Sequence, residues 1–368
     1  MRILLATPIG SPGGIARWAE HIFNYYQNYY KESDLCEIDI LPMTLSNGKR
    51  VVYNGLWYRI KKGILGYSKI IQQEKALLRD GKYDIIHIAS SASISLTKDL
   101  YMIQVAHKRN TKAIIHFHFG RIPELRDQNN WEWKLLCRVV RMADKVIVID
   151  KSSYKALLQA GFTNVKLLPN PVAPKVVEIA SRGEAGKCEE RTILFVGHGI
   201  RTKGVYELVD ACRNIKNIKV KMLGAILDSE KEALYKYADH ADWLDIRGET
   251  PYEEVIAEMC KCDVFVLPTY TEGFPNVILE SMACGCAIVT TPVGAIPEML
   301  GEEDGKHYGL MVEPRNVDQL REAIEKMLSD KEFKAACREN AQARVNERYN
   351  MKSVWRQMEG IWNEFKIV

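Results

Sequence analysis

The sequence lacks any apolar run of the roughly 18 residues that a membrane-spanning helix requires. It also lacks a strong charge of either sign, because 51 basic residues face 47 acidic ones and leave a formal net charge of +4. A charge this small gives no argument for nucleic acid as a partner. The first residues, MRILLATPIG, combine one charge, a short apolar run and a glycine, which indicates a β-strand and not a secretion signal.

Cysteines with the spacing of a disulfide framework are missing as well. The nine cysteines are odd in number and scattered, which is typical of a protein in a reducing cytoplasm. The alternative is a zinc site built from two Cys-x-Cys pairs: Cys260, Cys262, Cys284 and Cys286. Because this spacing is poor for zinc and both pairs adjoin predicted buried strands, we expect no bound metal.

Short apolar runs alternate with longer amphipathic segments along the chain. Ten runs have this character: RILLAT, EIDIL, YDIIHIA, AIIHFHF and KVIVID, then TILFVG, IKVKMLG, VFVLPT, CAIVTT and GLMV. Apolar runs of this length between helical segments indicate parallel strands buried on both faces. The predicted fold class is therefore α/β, with doubly wound sheets.

The length of 368 residues favours two domains. The strand pattern starts again near residue 191, after a stretch rich in proline and charge, so we predict domains over 1–173 and 191–351 and a linker over 174–190. The last segment has an apolar stripe at helical spacing that must be buried. Its members are Val354, Trp355, Met358, Ile361, Trp362 and Phe365.

The segment FVGHGIRTKGVYELVDA, residues 195–211, predicts a strand, a glycine-rich turn and a helix. Gly197, Gly199 and Gly204 allow the backbone to approach a ligand, and Arg201 and Lys203 add positive charge to the same turn. These features favour phosphate, although the spacing matches neither the dinucleotide fingerprint nor a P-loop. A plain strand-to-helix turn with a solvated lysine is the alternative.

The segment TEGFPNVILESMACG places Glu272 on a turn and Glu280 in the apolar run that follows. A helix is predicted to begin near Pro275 or Asn276, and its first amides would form a second anion site. Two carboxylates beside phosphate suit a nucleotide sugar, because one can bind sugar hydroxyls and the other ribose hydroxyls. The alternative is that Glu272 caps the helix and Glu280 lies on the surface.

Together these two segments resemble the retaining glycosyltransferases of family 4, which have the GT-B fold and a Glu-x7-Glu motif. The resemblance covers essentially the whole chain through TPIGSPGGIARW, HFHFG, ADKVIVIDKSS, LLPNPV and PVGAIPEML. It implies two Rossmann-like domains that face a central cleft. It also implies that the C-terminal helix, residues 352–368, crosses back to the N-terminal, acceptor-side domain.

The resemblance implies roles for residues of the second domain. Lys203 would bind the donor diphosphate, Glu280 the ribose hydroxyls and Glu272 the transferred sugar. The backbone around Ile246, Arg247 and Gly248 would hold the base. Amides that would assist Glu272 belong to Gly273, Phe274, Asn276 and Val277.

In the first domain, Gly13 and Gly14 match the glycine loop that closes over the diphosphate and the acceptor. His118 matches the histidine that lines the reacting centre. One position departs from the family: His198 stands where an arginine usually follows the first glycine of the phosphate turn. Since histidine is mostly neutral at pH 7, the donor site loses charge unless Arg201 replaces it.

The mechanism implied by the resemblance retains the anomeric configuration, with Lys203, His118 and Glu272 at the catalytic centre. Charge stabilisation on the leaving diphosphate would supply most of the catalysis. We expect front-face attack by the acceptor hydroxyl, with the departing phosphate as its base. No Asp-x-Asp pair is present to hold a metal on a nucleotide sugar, so we expect no metal and no other cofactor.

Residues 47–70 contain six Lys or Arg and no Asp or Glu, interleaved with aromatic and aliphatic residues. This composition is typical of a segment at a membrane interface, with cations on anionic headgroups. The predicted membrane and acceptor surface consists of Lys49, Arg50, Trp57, Tyr58, Arg59, Lys61 and Lys62. The alternative is an ordinary helix that packs on the sheet and has solvated lysines.

These observations predict an enzyme that moves a hexose or hexosamine from a nucleotide diphosphate, with UDP preferred, to a glycan acceptor. The acceptor would be lipid-linked, and the protein would be cytoplasmic and peripheral at the inner face of the membrane, in bacterial surface-polysaccharide biosynthesis. One alternative is a GT-B epimerase or sugar-phosphate synthase with soluble substrates. Another is a non-catalytic partner that binds sugar nucleotides.

Overall fold

The computed structural model describes residues 1–10, 13–31, 36–44, 56–181 and 191–366, with the backbone alone for residues 56–65. The chain divides into two compact units. The first consists of Met1–Asn170 with Val354–Val368, and the second of Pro171–Ser353. Each unit is built around a six-stranded sheet in which every pair of neighbouring strands is parallel.

The first sheet has the order β2-β1-β3-β4-β5-β6. Its strands are β1 (Arg2–Thr7), β2 (Glu37–Pro42), β3 (Ile85–Ser90), β4 (Lys112–Phe117), β5 (Lys145–Val148) and β6 (Val165–Leu167). The helices of this unit are α1 (Gly14–Tyr29), α2 (Leu56–Asp80), α3 (Ser95–His107), α4 (Ile122–Gln128), α5 (Trp131–Met142) and α6 (Lys151–Gln159). The direction of winding reverses between β1 and β3, where a ligand crevice forms in open α/β sheets.

The second sheet has the order β12-β11-β10-β7-β8-β9, and its winding reverses between β7 and β10. Its strands are β7 (Arg191–Val196), β8 (Ile218–Leu223), β9 (Leu244–Gly248), β10 (Val264–Leu267), β11 (Ile288–Thr290) and β12 (Leu310–Met311). Its helices are α7 (Pro174–Ser181), α8 (Val205–Cys212), α9 (Asp228–Tyr237), α10 (Tyr252–Lys261), α11 (Asn276–Ala283), α12 (Ile296–Leu300), α13 (Val317–Ser329) and α14 (Lys331–Arg348).

All ten apolar runs of the sequence are strands, which confirms the predicted α/β class. The pattern missed β6 and β9, the strands at one edge of each sheet. β6 has only three residues, of which only Val165 is buried. β9 contains an aspartate and an arginine beside its buried Leu244 and Ile246, so neither strand forms a continuous apolar run.

The segment predicted as a linker is partly helical. Helix α7 occupies its first eight residues and buries Val176, and residues 182–190 lie outside the described residues. The first unit ends at Asn170, because the backbone N–H of Val172 donates to the carbonyl of Tyr349 and pairs this stretch with the second unit. The unit boundaries therefore differ by a few residues from the predicted 173 and 352.

The last helix, α15 (Met351–Asn363), closes the core of the first unit. The predicted apolar stripe is buried from Val354 to Trp362, while Phe365 is half-buried. The ring of Trp355 packs against three tyrosines of the first helix and its end, at centroid distances of 5.6 Å for Tyr25, 6.4 Å for Tyr26 and 4.8 Å for Tyr30. The tyrosine-rich end of α1 is thus largely a packing surface.

The first unit also buries a carboxyl group beneath α2. Glu74 is completely buried, and neither of its carboxylate oxygens has a hydrogen-bond partner among the described residues. Burial raises its pKa from 4.5 to about 8, although Lys98 and Lys75 oppose the shift. Lys98 itself forms an ion pair with Asp99, at 2.7 Å. Glu74 therefore stays protonated in the folded protein at neutral pH.

This pKa shift predicts a loss of stability as the pH rises from 4.5 to about 8. The unfolded chain ionises Glu74 above pH 4.5 while the folded chain does not, so the free energy of unfolding falls as the pH rises to about 8 and then levels off. The whole penalty is roughly 5 kcal/mol. We expect Glu74→Gln to flatten the change in urea midpoint between pH 5 and pH 8. The exposed Glu232→Gln is the control, and equal slopes in all three proteins would contradict the prediction.

Candidate functional site

The reversal point of the second sheet brings two loops together. Lys203 lies in the turn after β7, in a short 3-10 helix (Arg201–Lys203), and Glu272 lies in the loop after β10. Strands β7 and β10 are neighbours, with Ile193 opposite Val264. Because parallel strands end at the same edge, both side chains lie at the carboxyl end of the sheet, where ligands bind in this architecture.

Hydrogen bonds fasten these two loops to each other. The carbonyl of Thr202 accepts from the backbone N–H of Tyr270 at 2.9 Å and from the hydroxyl of Thr269 at 3.3 Å. Next to them, the Nζ of Lys203 lies 2.5 Å from the Oε1 of Glu272. These two side chains are only 21% and 13% exposed, so solvent screens the ion pair less than a surface pair. The predicted phosphate-binding lysine and sugar-binding glutamate are therefore direct partners.

Two glycines permit this close approach of loops. At Gly204, with φ of +72°, a Cβ atom would lie 2.0 Å from the carbonyl oxygen of Pro268. At Gly294, with φ of +57°, a Cβ atom would lie 2.4 Å from the carbonyl oxygen of Glu272 and 2.5 Å from that of Gly273. The backbone N–H of Ala295 also donates to Gly273 at 2.8 Å. The loop after β11 thus supports the loop that holds Glu272.

The second glutamate lies on α11, which begins at Asn276 as predicted and has Pro275 at its N-cap. Glu280 is buried, and its Oε1 accepts a hydrogen bond of 2.9 Å from the hydroxyl of Tyr252 at the start of α10. Sequence reasoning missed Tyr252, because 28 residues separate it from its partner and no local spacing reveals the contact. The tyrosine fixes the orientation of the carboxylate.

The other donor-site residues differ in their surroundings. Gly273 and Phe274 precede α11, and the buried Phe274 ring packs against Tyr349 at 5.9 Å. Asn276 and Val277 are the first residues of α11. Their amides are therefore at the helix N-terminus, where the helix dipole favours negative charge.

His198 is exposed in the turn after β7. The guanidinium of Arg201 is 5.3 Å from the ring centre of Tyr206, so it contacts α8. Arg315, a residue that the sequence did not single out, contacts the Tyr270 ring at 4.6 Å. Both arginines therefore stack on aromatic rings near the Lys203–Glu272 pair.

The predicted base-binding stretch at the end of β9 is already bonded to the protein at two places. The N–H of Ile246 donates to the hydroxyl of Tyr235, and the carbonyl of Gly248 accepts from the N–H of Gly224. The Arg247 guanidinium pairs with Asp245 at 2.9 Å and with Glu258 at 3.4 Å. The carboxylates thus occupy the Nε and one Nη of the Arg247 guanidinium.

In the first unit, the predicted residues lie around α1 and the end of β4. Gly13 is the N-cap of α1 with φ of +143°, a conformation that favours glycine, and Gly14 is the first helical residue. His118 follows β4, and its Nε2 is buried without a hydrogen-bond partner among the described residues. Trp18 of α1 packs on the His118 ring, with centroids 4.5 Å apart. The helix and the histidine thus form one packed group.

His118 continues a column of buried histidines. Its ring centroid lies 4.0 Å from that of His116, whose Nδ1 lies 3.2 Å from the Nε2 of His87. The indole N–H of Trp362, on α15, donates to the Nδ1 of His87 at 3.1 Å. An indole can only donate, so neutral His87 carries its proton on Nε2 and donates to His116. The sequence contained a signal for this column, because all three histidines lie within the apolar runs YDIIHIA and AIIHFHF.

Burial keeps these histidines neutral. It lowers the pKa of His87 to about 3 and that of His118 to about 3, and repulsion from a protonated His87 would add to the effect on His118. The pKa of His116 is lowered well below its usual value by burial and by repulsion from protonated His118 and His87. Protonation of His87 or His116 would place charge inside an apolar core, and the lowered pKa of the half-buried His118 keeps it uncharged at neutral pH as well.

Several predicted residues cannot be placed in the structure. Lys49 and Arg50 lie outside the described residues, and for Trp57, Tyr58, Arg59, Lys61 and Lys62 the structure describes only the backbone of α2. In the described part of the chain, no helix is both long enough and apolar enough to cross a membrane. No group of three or more His, Cys, Asp or Glu in that part is arranged to hold a metal ion.

Two family models match the chain. Residues 178–344 match the model described as Glycosyl transferases group 1, and residues 39–176 match Glycosyltransferase Family 4. Together the two matches span most of both units. They are consistent with the GT-B architecture of the two parallel sheets.

Curated relatives match parts of the chain. The putative teichuronic acid biosynthesis glycosyltransferase TuaC of Bacillus subtilis is 29% identical over 37% of this chain and 32% of its own length. The capsular polysaccharide biosynthesis glycosyltransferase CapM of Staphylococcus aureus is 28% identical over 46% and 45%. The N-acetylgalactosamine-N,N'-diacetylbacillosaminyl-diphospho-undecaprenol 4-alpha-N-acetylgalactosaminyltransferase of Campylobacter jejuni is 30% identical over 43% of this chain and 42% of its own length. The chain thus spans less than half the length of these relatives.

Solved structures share the whole fold. Sucrose-phosphate synthase from Thermosynechococcus elongatus has a TM-score of 0.78 at 19% identity, covering 99% of this chain and 98% of that one. Anabaena HepE in complex with UDP-glucose has a TM-score of 0.70 at 18% identity, covering 99% and 100%. The chain therefore has the GT-B fold.

The supporting role of Gly294 is testable with a matched pair of variants. Gly294→Ala introduces both an unfavourable backbone conformation and a clash with the Glu272 loop, whereas Gly305→Ala, at φ of +68°, adds a Cβ that meets nothing within 4 Å. We expect Gly305→Ala to cost about 1 kcal/mol and Gly294→Ala about 2 kcal/mol more. Urea unfolding measures both. Equal losses would show that the loop adapts without cost.

The hydrogen bond from Trp362 to His87 is testable in the same way. Trp362→Phe keeps an aromatic ring but leaves the buried Nδ1 of His87 without a donor, which should cost about 1 to 3 kcal/mol. The exposed Trp131→Phe should change stability by less than about 0.5 kcal/mol. Nitrogen NMR of the wild type should show His87 protonated at Nε2. A proton on Nδ1 instead would contradict the proposed direction of the hydrogen bonds.

Proposed function

We propose that this chain, with its GT-B fold and two glycosyltransferase-family matches, is a retaining glycosyltransferase. It transfers a hexose or hexosamine from a nucleotide-diphosphate donor, with UDP preferred, to a glycan acceptor. The observation that carries this proposal is the Lys203–Glu272 ion pair at the reversal point of the second sheet, next to the N-terminus of α11. The site thus places a cation that can bind phosphate next to a carboxylate that can accept hydrogen bonds from sugar hydroxyls.

The geometry supports different binding roles for the two glutamates. Glu280 is oriented by Tyr252, and its carboxylate is suited to accept hydrogen bonds from the ribose hydroxyls. Glu272 is suited to the hydroxyls of the transferred sugar, with the amides of Asn276 and Val277 nearby at the start of α11. Lys203 then stabilises the charge that develops on the leaving diphosphate.

The ion pair favours a sugar-binding role for Glu272 over a nucleophilic one. A carboxylate that accepts from an ammonium group is a weaker nucleophile than one without such a partner, and double displacement requires a carboxylate beneath the anomeric carbon. We therefore propose front-face attack by the acceptor hydroxyl, with the departing phosphate as base. Lys203 and backbone amides would supply the positive charge, so the proposed reaction uses no metal.

The acceptor side is proposed to be the first unit. His118 stays neutral there, because burial lowers its pKa to about 3, and a neutral imidazole can exchange hydrogen bonds with a sugar hydroxyl. The basic and aromatic composition of residues 47–70 supports a lipid-linked acceptor and a peripheral site at the cytoplasmic face of the membrane. Relatives named for teichuronic acid and capsule synthesis favour bacterial surface-polysaccharide assembly.

A second candidate is a sugar-phosphate synthase that acts on soluble substrates. The observation that favours it is the fold similarity to sucrose-phosphate synthase over nearly the whole chain. A third, the non-catalytic nucleotide-sugar partner, draws on His198 at the position of the usual arginine. The pair of Lys203 and Glu272 argues against this third candidate, because a domain that binds a nucleotide sugar without transferring the sugar does not need a cation to stabilise a leaving diphosphate.

The donor site is tested by measuring the thermal stability of the protein with a panel of nucleotides and nucleotide sugars. No metal is added in this measurement. A ligand at about 100 times its dissociation constant adds roughly 2.7 kcal/mol of stability. We expect one nucleotide sugar to stabilise the wild type. The same compound should not stabilise Lys203→Ala or Glu280→Ala. Arg201→Ala reports whether this arginine moves from Tyr206 to the phosphates.

The exposed Lys236→Ala, at the end of α9, is the control and should bind like the wild type. If no compound of the panel stabilises the protein, the proposed donor site is wrong. The proposal of a non-catalytic partner that binds nucleotide sugars then fails as well. If binding requires a divalent cation, the metal-independent mechanism is overturned. Added stabilisation by a soluble sugar phosphate in the presence of UDP would favour the synthase.

A further inference from the structure

Three histidines of the first unit lie on one face of its sheet. His116 and His118 are two residues apart on an extended segment, so their side chains point to the same side. The segment stays paired as far as His118, whose backbone N–H donates to the carbonyl of Ser90 at 2.9 Å. On the neighbouring strand β3, His87 lies opposite Ile114, two residues before His116. The register therefore places the three rings in a row that ends at the carboxyl edge of the sheet.

Hydrogen bonds run along this row from Trp362 to His116. The indole N–H of Trp362 donates to His87 at 3.1 Å, and His87 in turn donates to the Nδ1 of His116 at 3.2 Å. Since a neutral imidazole has one N–H proton, His116 carries its proton on Nε2. Turning the His116 ring over would put a carbon atom against the N–H of His87 and leave a buried donor unpaired, which is unfavourable. The indole thus fixes the tautomer and the orientation of both rings.

The ring of His118, in contrast, is held by packing. Its Nε2 is buried and has no hydrogen-bond partner among the residues that the structure describes. Its centroid lies 4.0 Å from that of His116, with the rings tilted by 32°, and 4.5 Å from that of Trp18 on α1. Trp18 also meets His116 edge to face at 5.0 Å. The orientation of the His118 ring therefore depends on the two rings that it packs against.

We propose that Trp362, His87 and His116 are positioning residues for His118. This inference rests on the proposed function, in which His118 exchanges a hydrogen bond with a sugar hydroxyl. Such a group has to be held within about 0.5 Å of its productive position, and a misplacement of about 1 Å costs on the order of 100-fold in rate. Without the indole donor, His87 adopts either tautomer and His116 turns, so His118 loses a fixed neighbour. Helix α15 thus contributes to the reaction through this chain of contacts.

Trp362→Phe and Trp355→Phe form a matched pair of variants for the test. Both tryptophans are buried on α15, but the indole nitrogen of Trp355 has no hydrogen-bond partner in the described part of the chain. Each substitution removes the same atoms, and only Trp362→Phe removes a donor to the histidine row.

Nitrogen NMR reads the positions of the protons without any substrate. The wild type should show His116 protonated at Nε2 alone. In Trp362→Phe we expect both ring nitrogens of His116 to share the proton and the His118 resonances to shift, whereas Trp355→Phe should match the wild type. Unchanged His118 resonances in Trp362→Phe, or equal changes in the two variants, would overturn the inference.

Turnover gives the second readout. UDP release is measured from UDP-glucose, UDP-galactose and their N-acetylhexosamine analogues, with water taking the sugar in place of the glycan hydroxyl. We expect Trp362→Phe to lower kcat by about 10- to 100-fold. KM for the nucleotide sugar should stay unchanged, because the residues proposed to bind the donor lie in the second unit. Trp355→Phe should keep the wild-type kcat.

The outcomes separate this inference from the proposed function. An equal loss of kcat in both variants would show a structural effect only and would contradict the positioning role. If the wild type releases no UDP, the NMR comparison decides whether the indole orients His118, while the thermal panel decides whether the donor site exists.

Discussion

The adjacency of β7 and β10 is the constraint on which the second unit depends. Parallel strands that are neighbours in the sheet but distant in the sequence deliver their following loops to the same edge, so residues 69 positions apart meet without any long-range motif in the chain. Thr202, Tyr270 and the glycine at position 294 then fix the separation of these loops to within a hydrogen-bond length. The Lys203–Glu272 pair is the chemical result of that topology.

The sequence predicted the strands that are buried on both faces, because an apolar run of four to eight residues has few alternative structures. It could not predict β9, whose polar residues are compatible with an edge strand and with a loop alike. The two glutamates, the lysine and the start of α11 could be found from local spacing. Tyr252 and the stacking of Arg201 on Tyr206 could not, since such contacts depend on how two helices or a turn and a helix pack.

Both units pair part of their charge, as in Lys98 with Asp99 at 2.7 Å in the first unit and Lys221 with Glu258 at 2.5 Å in the second. The first unit also keeps two buried groups neutral, since burial raises the pKa of Glu74 and lowers that of His87. The two shifts act in opposite directions on stability. The neutral His87 costs stability as the pH falls from 6.5 to about 3, and the neutral Glu74 costs stability as the pH rises from 4.5 to about 8. The sum of the two penalties is therefore smallest between about pH 4.5 and pH 6.5.

The position of α15 has a consequence for synthesis on the ribosome. The first unit is discontinuous in sequence, and Trp355 and Trp362, which complete its core, are synthesised after the whole of the second unit. The second unit has all its strands and most of its helices before these tryptophans leave the exit tunnel. The second unit can therefore fold before the first is complete, because His87 has no indole donor until Trp362 has been synthesised. Truncation of the chain before Trp355 would leave the core of the first unit open.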